Sequence, residues 1–199
     1  MRLLKTATIY ALLFTSTSVL ADTYEIESAH SSIQFSVRHL GISNVKGDFR
    51  KFSGTIEYDP EKPEETKVIA EIDTNSFDTA NADRDKHVKS KDFLDVGIFP
   101  TIKFVSTKVV SSGEDSLSVT GDLTILGVTK PITLLVEDIV GPVQNPMDKK
   151  MHVGASVSGK LIRQDYGVTW NGGGMTGAAG EATIGDQIKL DFEIDGVKK

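Results

Sequence analysis

The chain has 199 residues, 39% hydrophobic and 25% charged, which suits one folded domain and argues against a disordered chain. Its formal net charge is −6, so its surface repels phosphate backbones and no nucleic-acid partner is expected. It contains no cysteine, which excludes a disulfide scaffold, a thiol nucleophile, a cysteine-ligated zinc and an iron–sulfur cluster.

Met1 to Ala21 reads as a secretory signal. Arg2 and Lys5 form a positive start, Ile9 to Phe14 is densely apolar, and Val19-Leu20-Ala21 sets a cleavage point before Asp22. The apolar stretch contains Thr and Ser and falls short of the roughly 20 residues a spanning helix needs. No cysteine follows the cleavage point, so a lipid-anchored N-terminus is excluded. An exported chain without cysteine points to a bacterial periplasm. One domain over residues 22–199 is expected, with no stable membrane insertion because no second apolar stretch reaches spanning length.

The remaining pattern has period two. Ile33, Phe35 and Val37 alternate with polar residues, and Gly54 to Tyr58 alternates before Asp59-Pro60. Val68, Ala70 and Ile72 follow, then Ile102 and Phe104, then Leu117, Val119, Leu123 and Ile125 within Ser116 to Leu126. Ile132, Leu134 and Val136 come next, then Val153, Ala155, Val157 and Leu161, and finally Ile188, Leu190, Phe192 and Ile194. About eight short strands separated by Gly, Asp, Pro or Ser predict an all-β antiparallel sandwich or barrel. Thr79 to Leu94 breaks the alternation and predicts a short polar helix or a long loop across one end of the sheet.

An eight-stranded barrel is just wide enough to be filled by side chains or to hold one small ligand. Ala155, Gly159 and Gly121 leave space where a packed core wants bulk, which favours a ligand. Bulky side chains from facing strands would fill the same gaps, and the sequence leaves both readings open.

Catalytic motifs are absent. Gly172 to Gly177 fits G-x-G-x-x-G, but no helix-forming pattern follows to bind a pyrophosphate. There is no G-x-S-x-G elbow, no P-loop and no H-E-x-x-H. None of His30, His39, His87 and His152 lies at metal-ligand spacing with another, so no metal and no cofactor are expected. His30-Ser31 reads as a turn or a strand-end device. His39 shares the apolar phase of its strand, either as a core histidine or as a polar group at a cavity mouth.

Several segments resemble the YceI-like family. They are Tyr24-x-Ile26 with His30-Ser31-x-Ile33-x-Phe35-x-Val37-x-His39-Leu40-Gly41, Gly47-x-Phe49-x-x-Phe52-x-Gly54, and Arg84-Asp85-x-His87. Asp92-Phe93-Leu94-Asp95, Phe99-Pro100-x-Ile102-x-Phe104, Gly121 to Pro131 and Arg163-x-Asp165-Tyr166-Gly167 continue the match in order. The resemblance implies a single periplasmic lipocalin-like barrel, not an enzyme. Its apolar cavity would hold a polyisoprenoid such as a prenyl quinone or polyprenyl phosphate, for carriage or sequestration. Ile33, Phe35, Val37, Phe104, Val119, Leu123, Ile125, Leu190 and Phe192 are expected to line the cavity. The resemblance further implies that His39, Arg84, Asp85, His87 and Arg163 meet the lipid head group. The partner expected is the isoprenoid lipid, with a homodimer also admitted. The alternative is a hydrolase or isomerase that uses His39 and Asp85 as a base pair. The glycine-rich stretch Gly172 to Gly180 departs from what the resemblance leads one to expect, and its role is open.

Overall fold

Strict alternation dictates the clearest wall of the molecule. From Ser116 to Ile125, Leu117, Val119, Gly121, Leu123 and Ile125 are buried, while Asp122 is exposed and the other polar residues are half-buried. The computed structural model describes residues 21–175, 180 and 182–199. The described strands are β1 (Asp22–Ile26), β2 (Ser32–His39), β3 (Ser43–Phe49), β4 (Phe52–Tyr58), β5 (Lys67–Asp73) and β6 (Phe77–Asp78). After the helix α1 (Ala82–Val88) come β7 (Thr101–Gly113), β8 (Ser116–Ile125), β9 (Val128–Gln144), β10 (Met151–Ile162) and β11 (Ile184–Lys198). All pairings are antiparallel.

These eleven segments trace eight walls. β1 and β2 are halves of one bent strand, since β11 pairs with β2 through Ile184–Glu193 and with β1 through Gly196–Lys198. β3 and β4 follow one line in the same way, on β2 and β1 respectively. β5 and β6 do so on β4 and β3. The order β1-β4-β5-β7-β8-β9-β10-β11 closes through β1–β11, giving the closed eight-stranded barrel the alternation predicts.

One wall is locally open. β9 and β10 pair from Met151↔Gln144 to Ser158↔Leu135, and no pairing is described beyond that point. Pro131 pairs with Asp122 of β8 but lies beyond the β10-paired part of β9, so only that strand's β10 side is free of a described partner there. The Lys130–Asp165 ion pair, 3.7 Å, bridges the strands' far ends.

The Thr79–Leu94 segment is both helix and cap. Asn81 accepts the Arg84 N–H at 3.0 Å and so starts α1, whose first turn carries Asp83 and Asp85. Beyond the helix, Phe93 and Leu94 are buried over the barrel end. There Phe35, Phe49 and Phe77 pack with centroids 5.2–5.9 Å apart, and His87, Phe93 and Trp170 form a second aromatic group at 4.8–5.1 Å.

Gly47 sits under the first of these groups. A Cβ there would lie 2.6 Å from the Phe35 ring, 2.6 Å from Thr79 Cγ2 and 2.8 Å from the Asp78 carbonyl. Gly47→Ala therefore forces the capping segment outward and should cost about 1–3 kcal/mol. A melting temperature lowered by roughly 2–4 °C per kcal/mol checks this, and an unchanged one contradicts the packing described.

Candidate ligand cavity

The inward phase of the walls encloses an apolar cavity of about 170 Å³. Of the residues expected to line it, Ile33, Phe104, Val119, Leu123, Leu190 and Phe192 do so. Phe35, Val37 and Ile125 do not. Phe35 belongs to the aromatic plug, Ile125 packs in the core with Leu123 and Tyr166, and Val37 lies near the end of β2 beyond the cavity. All three share the inward phase but sit too far along their strands, because the cavity stops short of the α1 end. The spaces inferred at small residues divide similarly. Ala155 borders the cavity, whereas the Phe104 ring fills the place beside Gly121 and a Leu134 methyl fills that beside Gly159.

A larger concavity of about 650 Å³ crosses the outer wall. It carries Lys46, Lys160, Lys189 and Asp191 alongside Gln34 and several Ser and Thr, and it is open to solvent. The smaller internal void is the candidate ligand site, because a ligand gains most where its surface leaves water completely.

None of the five residues expected at a head group lines this cavity. All five lie at the α1 end, so the fold brings them into one region, but most are already engaged. Arg84 Nε donates to Thr79 Oγ1 at 2.7 Å and its Nη2 to the Thr79 carbonyl at 2.9 Å. Asp85 accepts from the Thr79 N–H at 3.0 Å and from the Thr79 hydroxyl at 2.5 Å. His87 Nε2 meets Asp92 at 3.1 Å, with its ring edge-on to Phe93 and Trp170. His39 ends β2, paired with Ser43 and Ile184, and makes no hydrogen bond to Asp85 among the described residues.

Arg163 is the most committed. Its side chain is 4% exposed. Nη1 donates to the Val168 and Trp170 carbonyls at 2.7 and 2.8 Å, and Nε to the Gly185 carbonyl at 3.1 Å. Nη2 donates to the Ile184 carbonyl at 3.2 Å and meets Asp186 at 3.0 Å. Four of the five N–H donors of the guanidinium are thereby spent on backbone carbonyls, with the Asp186 carboxylate beside Nη2 as an ion pair.

Sequence reasoning missed the polar atoms that do border the cavity. Tyr58 and Thr66 lie on its wall at the end away from α1. The Thr66 hydroxyl is satisfied by the Pro63 carbonyl at 2.6 Å. Burial, then Asp115 and Asp59, push the Tyr58 phenol above its ordinary pKa, so it stays protonated and can donate. Tyr24, next to it in the wall, is fully buried with an unpartnered hydroxyl, and burial likewise raises its pKa. The alternation of Gly54 to Tyr58 before Asp59 was the available signal, since it places Tyr58 on the inward phase at the strand's last position.

These walls define a closed eight-stranded antiparallel barrel around a largely apolar cavity. Residues 24–195 match the YceI-like domain. The chain belongs to the YceI-like family. It is 40% identical over 191 residues to a UPF0312 protein of Shewanella denitrificans, covering 95% of this chain and 94% of that one. Its fold is similar to BcnA of Burkholderia cenocepacia, with TM-score 0.72, 22% identity, and coverage of 85% and 98%. It is also similar to a polyisoprenoid-binding domain from Saccharophagus degradans, with TM-score 0.63, 16% identity, and coverage of 91% and 100%.

Arg163→Met strands four carbonyl oxygens in a buried setting, at about 1–3 kcal/mol for each that stays unpaired. Urea denaturation should show a loss of at least about 3 kcal/mol. A variant as stable as the parent would show that Arg163 is not the knot described here.

Proposed function

We propose that this protein binds an isoprenoid chain in its barrel cavity and carries or sequesters it, without catalysing a reaction on it. The observation that carries this reading is the largely apolar lining of a void between eight walls, interrupted only by Ser53, Tyr58 and Thr66 among the described residues. The likeness to a polyisoprenoid-binding domain supports the ligand class. Met1 to Ala21 reads as an export signal removed before a 22–199 domain, and a periplasmic location is part of this proposal. Residues 1–20 lie outside the described structure. Among the described residues no helix is long and apolar enough to cross a membrane. The hydrolase or isomerase alternative has no support in the geometry, because His39 and Asp85 make no hydrogen bond to each other among the described residues and Thr79 takes Asp85 Oδ1.

Each CH₂ moved from water into the cavity gains about 0.8 kcal/mol before ordering costs. At about 170 Å³ the void matches the end of an isoprenoid, and a longer tail enters only as wall side chains turn aside. The head then lies beside Tyr58. Its protonated hydroxyl suits a carbonyl or hydroxyl acceptor, and Asp59 and Asp115 nearby repel an anion. A neutral head such as a quinone or alcohol is therefore favoured over a phosphate.

Calorimetric titration with geraniol, farnesol and geranylgeraniol tests this. Affinity should rise with each added unit and then level off once the void is full. Val119→Trp should lower every affinity at least tenfold, because Val119 is a buried lining residue and an eight-stranded interior has little spare width. Affinity independent of chain length, or Val119→Trp binding like the parent, overturns the proposal.

A further inference from the structure

The bend between β1 and β2 lies on the outside of the barrel and gathers titratable groups from both ends of the chain. Glu27 Oε2 accepts the His30 backbone N–H at 3.0 Å and faces His30 Nδ1 at 2.7 Å. The Asp195 backbone is knitted into the same bend. Its N–H donates to Ser31 Oγ at 2.9 Å, and its carbonyl accepts the Glu27 N–H at 2.8 Å. Asp195 Oδ1 faces His152 Nδ1 at 2.7 Å, and His152 Nε2 faces Asp148 at 3.0 Å.

One ligand atom from each of Glu27, His30 and Asp195 lies within 4.8 Å of the others. A tetrahedral ion bonded at about 2.0–2.2 Å needs such atoms roughly 3–3.5 Å apart, so an ion would draw the three side chains together. Each carboxylate is oriented through one oxygen, leaving Glu27 Oε1 and Asp195 Oδ2 without a hydrogen bond among the described residues. His152 stands behind Asp195 as the outer partner that metal-binding carboxylates commonly have.

We propose that Glu27, His30 and Asp195 form a site for a divalent transition-metal ion of the zinc type, completed by water. Two carboxylates neutralise the dication, and one imidazole selects against calcium, which takes six to eight oxygens. The ion clasps the β1–β2 bend to β11. The inference stands apart from the cavity and does not rest on the ligand proposed there.

Calorimetry of chelator-treated, tag-free protein with zinc chloride tests it. One equivalent of zinc should bind, calcium should not compete, and zinc should raise the melting temperature. His30 is exposed, with 70% of its side chain accessible, so His30→Ala leaves the fold intact. That variant should lose at least tenfold in zinc affinity and most of the thermal shift, while His87→Ala binds zinc like the parent. The site is overturned if the parent binds no zinc, if His30→Ala binds it equally well, or if His87→Ala weakens it comparably.

Discussion

β11 pairs with β10 along one flank and with β1 and β2 along the other, and the remaining features of the molecule depend on that closure. A ring closed everywhere but where β9 and β10 part leaves little sheet edge, so every wall can place one residue phase inside. The inside phase is then free to be apolar throughout, and the outside phase carries the acidic surface. Closure also explains the bends. Three of the eight walls are broken into two segments each, and the break at residues 27–31 is where β11 passes from β2 to β1.

An enclosed apolar void is energetically unfinished. Cavities in protein cores cost about 24 cal/mol per Å³, so 170 Å³ withholds about 4 kcal/mol that better packing would supply. A sequence selected only for stability would place bulk where Ala70, Gly154 and Ala155 border the void. At the α1 end, by contrast, Phe35, Phe49, Phe77, Phe93 and Trp170 pack ring against ring. An apolar guest in the void would recover the missing contacts.

The strands were legible in the sequence wherever one face is apolar and the other polar. β8 reads directly from its alternation, and so do β10 and β11. β3 did not, because Ser43-Asn44-Val45-Lys46-Gly47-Asp48-Phe49 offers only Val45 and Phe49 to the inward phase, with glycine between them. Gly47 is small because the Phe35 ring already occupies the space. The capping role of Phe93 and Leu94 was hidden by the charges before them. The cluster at Glu27, His30 and Asp195 lay beyond any spacing rule, since its members meet only when β11 folds back onto the start of the chain.

Polar residues were the least legible, because residue type does not reveal whether a donor is already used. His39, Arg84, Asp85, His87 and Arg163 were sensible choices for a head group: all are polar, and the topology gathers them at one barrel end. A guanidinium recognises a ligand only with donors left over, however, and Arg163 spends four of its five on backbone carbonyls beside the Asp186 carboxylate. It sits where the chain leaves β10, runs through Tyr166 to Trp170 and returns at β11, a path whose carbonyls lack sheet partners. Burying those carbonyls requires a donor able to reach four of them, and no other side chain offers five donors in one plane. Local backbone need thus consumes the charge most suited to a phosphate. The far end keeps the Tyr58 phenol on the cavity wall.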